Sequence, residues 1–255
     1  MASVSAITGS EVRGGGDVGT VAAVPLAALQ LVGVGMVTGV LGPTAAAVAL
    51  VDQPASFRVA QTWARAILAL YGVRVRTRHL ARLDPNAPYV IMSNHRSQFD
   101  ILAVVVGLSD HQLRWVAKKE LTRVPVFGWA LKHTGHIIID RSDSQQAIAS
   151  LRAARSQMER GISVVLFPEG TRSETGQALL PLKKGGFMLA LETGFPIVPV
   201  VVRGSREILP RGSWRAAPGE IEVVVGGPIQ VAGVPRDELM ARVRDFMLAH
   251  LRASS

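Results

Sequence analysis

The chain has 255 residues, no cysteine and a formal net charge of +9, with 48% apolar and 18% charged residues. That length suits one sizeable α/β domain, or a smaller domain with an appendage, and excludes a miniprotein; the apolar share excludes a wholly disordered chain, and the missing cysteine excludes disulfides, thiolate metal sites and a cysteine nucleophile. A sequence pI near 10.9 alongside a mean hydropathy of +0.28 is less usual, because strongly basic soluble chains tend to be hydrophilic.

Residues 1–17 read as a flexible tail, glycine-rich at Gly14, Gly15 and Gly16. The next 34 residues, 18–51, contain no charge and are mostly Val, Ala, Leu and Gly. A spanning helix needs about 20 apolar residues, which this run supplies once. Gly42-Pro43 interrupts it and leaves eight residues before Asp52. The expectation is a single membrane helix or a broken, re-entrant helical hairpin, with 18–53 as a membrane anchor and 54–255 as the globular domain. A signal peptide would carry a basic start and a shorter apolar stretch; a buried core helix is the plainer alternative. Up to Gln53 there is one arginine against three acids, and beyond it 27 bases against 16 acids, so the globular part carries +11.

Between 56 and 71, Phe57, Ala60, Ala64, Ile67 and Tyr71 recur at helical spacing with Arg58, Thr62 and Arg65 opposite. This predicts an amphipathic helix whose basic face suits anionic headgroups, or equally a surface helix packed on the domain. Strands are predicted at 73–77, 89–93, 114–117, 136–139, 162–167, 197–202 and 221–225, with helices at 148–158, 186–193 and from Pro235 onward. The fold class is α/β: a mixed, largely parallel sheet of about seven strands flanked by helices, preceded by the apolar segment.

In such a sheet, ligands bind beyond the carboxyl ends of the strands. Asn94-His95-Arg96-Ser97-Gln98-Phe99-Asp100 follows one predicted strand. Five residues of ideal helix turn 500°, so His95 and Asp100 meet only if a turn lies between them. If they do, Asp100 holds the imidazole tautomer and leaves the other nitrogen as a general base. Ser97 is alternatively a cap for a helix starting nearby. A second loop, Phe167-Pro168-Glu169-Gly170-Thr171-Arg172-Ser173, places an acid, a flexible glycine and an arginine after another strand. It suits an oxyanion or phosphate, or is a plain surface turn. Asp140-Arg141 ends a third strand, and Lys118-Lys119 and Lys183-Lys184 are further cations for phosphate or for solvent. His79, His111, His133, His136 and His250 form no spaced ligand set, so no metal is expected. With 5% aromatic residues and no stacking platform, nucleic acid is not an expected partner.

In this order, the Asn94 to Asp100 block, the stretch from Lys118 through Pro125, Gly128 and Gly135 to Asp140-Arg141, the Phe167 to Ser173 block and Ile197-Val198-Pro199-Val200 resemble the four motif blocks of the membrane glycerophospholipid acyltransferases. The nearest resemblance is to the bacterial 1-acyl-sn-glycerol-3-phosphate acyltransferases. The resemblance implies His95 as general base held by Asp100, and direct transfer of an acyl group from acyl-CoA or acyl-carrier protein to the sn-2 hydroxyl of lysophosphatidic acid. It assigns Glu169, Gly170, Thr171 and Arg172, with Lys118 and Arg141, to the glycerol-phosphate part of the acceptor. Ile197, Val198 and Pro199 shape the acyl site or simply form a core strand. No cofactor is implied beyond the acyl thioester. The expected location is the cytoplasmic membrane, with the catalytic domain on its cytoplasmic face against anionic lipid. Alternatives are another acceptor (a lysophospholipid, a lyso-ornithine lipid or glycerol-3-phosphate) and a non-catalytic basic module that binds anionic membrane or nucleic acid.

Overall fold

The computed structural model describes residues 18–139, 144–172, 179–213 and 215–252. Helix α1 (Val18–Ala49) is followed by α2 (Gln53–Leu70), then β1 (Val73–His79), β2 (Val90–Ser93), α3 (Phe99–Gly107), β3 (Leu113–Lys118), a 3₁₀ turn (Lys119–Arg123), α4 (Phe127–His133) and β4 (Ile137–Ile139). The second half runs α5 (Ser144–Met158), β5 (Ser163–Leu166), α6 (Gly185–Thr193), β6 (Ile197–Arg203), α7 (Ser205–Ile208), β7 (Gly219–Val225) and α8 (Arg236–Arg252). All seven predicted strands are present, and their ends differ from expectation by at most two residues. Helix α3 carries no amphipathic period, because apart from Asp100 it is apolar, and it is buried on most sides.

The strands form one sheet in the order β1-β7-β6-β2-β5-β3-β4. Every neighbouring pair is parallel except β6 and β7. Strands β2 and β5 are buried along their whole length and sit at the centre, as their unbroken apolar runs require in a sheet covered on both faces. One core packs α2 and α3 on one face around Phe57, Ile67, Phe99, Val104 and Val223. The other packs α5, α6 and α8 around Met158, Phe187, Leu239 and Met247. Edge strand β1 reads Val-Arg-Val-Arg-Thr-Arg, and Arg76 and Arg78 pair with Glu220 and Glu222 of β7 at 3.6 and 3.5 Å. Charge along an open edge opposes pairing with other chains.

The N-terminal segment corrects one expectation. Gly42-Pro43 does not break the apolar run, because α1 continues through it to Ala49. A helical hairpin does form, but its turn lies at residues 50–52 and its second arm is the amphipathic α2. Three hydrogen bonds record the antiparallel register: Ser56 Oγ to the Ala45 carbonyl at 2.8 Å, Trp63 Nε1 to Thr38 Oγ1 at 3.0 Å and Gln30 Nε2 to the Leu70 carbonyl at 3.5 Å. Asp52 stops one helix and starts the other, its side chain accepting from the Ala55 amide at 2.8 Å, with a proline in the first turn. Gly42 serves packing rather than termination. A Cβ there would lie 3.3 Å from Val126 Cγ1 and 3.8 Å from Ala130 Cβ of α4. Val126, seated against that glycine, is held at φ 60°, a backbone region that costs a β-branched residue energy and persists only under surrounding constraint.

Candidate active site

Strand β2 ends at Ser93, flanked by the carboxyl ends of β5 and β6, and the residues after all three converge. Asn94 joins them directly: its side-chain amide donates to the Val202 carbonyl at 3.0 Å and accepts from the Val202 amide at 2.7 Å. A buried side chain thus continues the ladder between β2 and β6 after the strand has stopped. The chain then turns sharply, and His95 Nδ1 lies 2.9 Å from Asp100 Oδ2. The required turn is made by Asp100 itself, which accepts the backbone amides of Arg96 at 2.6 Å and Ser97 at 2.8 Å on the same oxygen. Those donors define Asp100 as an acceptor, so Nδ1 of His95 carries the proton and Nε2 is left as the basic nitrogen. Asp100 is fully buried, and His95 is partly exposed. Gln98, not Ser97, is the residue before α3; Ser97 Oγ accepts from the Phe99 amide at 3.2 Å and donates to the Leu209 carbonyl at 2.8 Å.

The imidazole lies flat on Phe167, with ring centroids 3.8 Å apart and planes 5° from parallel. Trp115 packs against the same phenylalanine, with ring centroids 5.3 Å apart and planes tilted by 31°. Phe167 stands within the second loop motif, but its stacking on a histidine 72 positions away leaves no local signal in the sequence.

Glu169 is 2% exposed. One carboxylate oxygen accepts the His95 backbone amide at 2.7 Å and the other accepts the Leu180 amide at 2.8 Å. Burial raises its carboxyl above the usual range, offset in part by those two amides and by Arg96. In this structure Glu169 therefore braces the loop that carries His95. Gly170 adopts φ 72° and closes the turn, its amide donating to the Phe167 carbonyl at 3.0 Å. Thr171 is exposed and Arg172 half-exposed beside it. Arg211, from the loop after α7, donates to the Arg172 carbonyl at 2.6 Å and reaches Thr171 Oγ1 at 3.5 Å. Nothing in the sequence pointed to Arg211.

Lys118 is exposed at the carboxyl end of β3, paired in register with Ile139 of β4, and β3 runs parallel to β5 and β2, so its carboxyl end lies at the same end of the sheet as His95. Arg141 and Ser173 lie outside the described residues. Lys183 and Lys184 are exposed, the second directly before α6. Ile197, Val198 and Pro199 are buried at the amino end of β6, with Ile197 and Val198 in opposite cores. They sit at the far end of the strand from Gly204. Among the described residues there is no group of three or more His, Asp or Glu arranged to hold a metal.

Beneath the site, Arg114 of β3 is buried, donating to the carbonyls of Leu113 at 2.8 Å and Gln53 at 3.2 Å. Burial, then Arg160, lowers its guanidinium to about 10. His136 accepts the Trp115 amide on Nδ1 at 2.9 Å, and burial followed by Arg114 pushes it down to about 3. It is a neutral structural acceptor.

Residues 73–203 match the acyltransferase family model. The chain is 35% identical over 190 residues to human 1-acyl-sn-glycerol-3-phosphate acyltransferase alpha, a match covering 73% of this chain and 66% of that protein. It is 34% identical over 180 residues to the 1-acyl-sn-glycerol-3-phosphate acyltransferase of Pseudomonas aeruginosa, covering 69% and 68%. The chain thus spans just under two thirds of the mammalian relatives. Its fold superposes on the crystal structure of the lysophosphatidic acid acyltransferase PlsC from Thermotoga maritima with a TM-score of 0.78 at 21% identity, over 92% of this chain and 98% of that one. With the His95–Asp100 pair assembled at the carboxyl end of the sheet inside the matched segment, the chain belongs to the acyltransferase family that includes the 1-acyl-sn-glycerol-3-phosphate acyltransferases.

Proposed function

We propose that this protein transfers a fatty acyl group from an acyl thioester, acyl-CoA or acyl-carrier protein, to the sn-2 hydroxyl of lysophosphatidic acid, yielding phosphatidic acid. The observation that carries the reading is the 2.9 Å contact between His95 Nδ1 and Asp100 Oδ2, which leaves Nε2 as the basic nitrogen. Nε2 removes the proton of the acceptor hydroxyl as its oxygen attacks the thioester carbonyl. A C–O bond forms, the C–S bond breaks, and the imidazolium returns the proton to the departing thiolate. Asp100 stabilises the imidazolium while it exists. No covalent enzyme intermediate is needed, and the hydroxyls of Ser93 and Ser97 are engaged on backbone carbonyls. Because a thiolate leaves readily, the reaction calls for no cofactor. Arg172, Lys118 and Arg141 are the cations proposed for the acceptor phosphate, and Gly170 and Thr171 border the same loop.

The membrane arrangement belongs to the same reading. Residues 26–49 are long and apolar enough to cross a bilayer. Leu29, Val32, Met36 and Val40 form an exposed stripe at i, i+3, i+7 and i+11, while Val34 and Val37 of the same helix pack on the core. Near α1, exposed Leu121, Val124 and Trp129 are flanked by Lys119, Arg123 and Lys132. Apolar side chains in a stretch where three cations face one acid, Glu120, suit an anionic bilayer surface. We therefore divide the chain into a tail (1–17), an anchor (18–53) and a catalytic domain (54–255) on the cytoplasmic face.

The experiment is transfer of labelled acyl groups by the full chain in vesicles, with an acceptor panel. His95→Ala is expected to abolish transfer, and retained parental turnover removes the catalytic reading in favour of a binding module. Faster turnover of a phosphate-free acceptor than of lysophosphatidic acid would replace the acceptor. Arg172→Ala is expected to raise the apparent KM for lysophosphatidic acid about tenfold or more, the worth of a hydrogen bond to a charged group, with the donor KM unchanged.

A further inference from the structure

The family match ends at Arg203, and the next two residues complete the catalytic pair. Gly204 takes φ 82°, and a Cβ there would lie 2.4 Å from the Glu220 carbonyl oxygen, a backbone atom of β7. Only glycine lets β6 turn so tightly against its neighbour. The turn delivers Ser205, which is 1% exposed, and its Oγ donates to Asp100 Oδ1 at 2.5 Å across 105 residues of sequence.

Asp100 is thereby divided between two sets of donors. Oδ2 accepts from the His95 imidazole and from two backbone amides, while Oδ1 accepts from Ser205. We propose that Ser205 is a positioning residue for catalysis: its hydroxyl fixes the rotation of the Asp100 carboxylate and draws part of its charge away from the imidazole. The inference rests on the acyl-transfer reading above. Ser205 is no acyl carrier, because its oxygen is buried on the carboxylate oxygen that does not face His95. The other groups around the histidine are Glu169 on its backbone amide, Arg96 beside it and Phe167 under the ring. None of them contacts Oδ1, so Ser205 alone among the described residues holds that oxygen.

A hydrogen bond to a buried carboxylate has a measurable consequence. Without it, Oδ1 has no donor, the carboxylate rotates more freely, and its full charge acts on the imidazolium. The full-length Ser205→Ala protein, assayed in vesicles with an acyl-CoA and lysophosphatidic acid, is expected to lose roughly ten- to a hundredfold in kcat, with both KM values retained. The acid limb of its kcat/KM profile moves to higher pH, because the imidazolium is held more tightly. Ser205→Cys, which keeps the volume and a weaker donor, is expected to fall between. Calorimetry reports the folded fraction used to normalise every rate. Parental kcat and a superimposable pH profile in both variants overturn the proposal, as does a loss that vanishes on normalising to folded protein. His95→Ala, run in parallel, separates the two readings. If it keeps parental turnover, acyl transfer by His95 is wrong; if it is inactive while both Ser205 variants behave as the parent, only the role of Ser205 falls.

Discussion

Asp100 and Glu169 are both buried carboxylates at the carboxyl ends of the sheet, and their partners give them different work. Asp100 addresses the histidine ring, whereas Glu169 addresses two backbone amides, those of His95 and Leu180. Glu169→Gln keeps one acceptor and turns the other into a donor facing an N–H, at a cost of about 1–3 kcal/mol. Chemical denaturation is expected to show that loss, together with reduced kcat as the His95 loop relaxes. The two proteins should also differ in pH response. Burial raises Glu169 above its ordinary 4.5, so the folded state holds a proton that the unfolded chain has released. Stability is then lost as the pH rises from about 4.5 through the raised value, and the Gln variant should lack that component. His136 has the opposite sign. It stays neutral down to about 3 while the unfolded chain takes a proton near 6.5. The folded state therefore loses stability as the pH falls from 6.5 toward 3, by at most about 1.4 kcal/mol per unit, less where the ring meets solvent. In His136→Asn, whose side-chain oxygen replaces the acceptor for Trp115, melting temperatures at pH 7.5 and pH 5 should differ less than in the parent.

Among the elements, α1 shows how tertiary contact overrides a local signal. Pro43 removes one intrahelical donor, and proline inside a helix ordinarily costs about 3 kcal/mol. The helix persists because α2 and α4 hold it, from the Gln30–Leu70 contact to the Ser56–Ala45 bond. Gly42 tests this directly. Gly42→Ala adds helix propensity of about 1 kcal/mol against a contact of 3.3 Å to Val126, so its thermal stability should stay near parental. Gly42→Leu cannot fit without moving α4, and should cost about 1–3 kcal/mol. If both variants are stabilised alike, the glycine is not a packing position. The strand elements, by contrast, were open to prediction: 90–93, 163–166 and 197–203 are apolar, β-branched and bounded by polar loops, and their burial leaves no other use for them.

Across the whole molecule, apolar surface and positive charge are separated yet adjoining. The exposed stripe of α1 meets a domain with 27 bases against 16 acids beyond residue 53. Introducing Leu29→Lys, Met36→Lys and Val40→Lys together places three charges on the stripe without touching the residues that pack on α2. Flotation with vesicles containing phosphatidylglycerol should show the variant released from the bilayer, with turnover of a short-chain, dispersed lysophosphatidic acid retained. Continued flotation would mean that the stripe does not face lipid.

The sequence by itself determined the α/β class, the seven strands, the uncharged run and the His95, Asp100 and Arg172 loops, because each is written in contiguous residues: a period, a breaker, or a polar motif after an apolar run. It could not say whether His95 meets Asp100, since an ideal helix would hold them 140° apart; the turn that joins them is made by amides folding onto the carboxylate. Nor could it find Ser205, Arg211, the Asn94 bridge or the bracing role of Glu169, whose partners lie between 11 and 108 residues away. Only the strand order, which places β2 between β5 and β6, brings those distant loops to one edge of the sheet. Hydrogen bonds are short-ranged and directional, so they are decided by what the fold makes adjacent and not by what the chain makes consecutive.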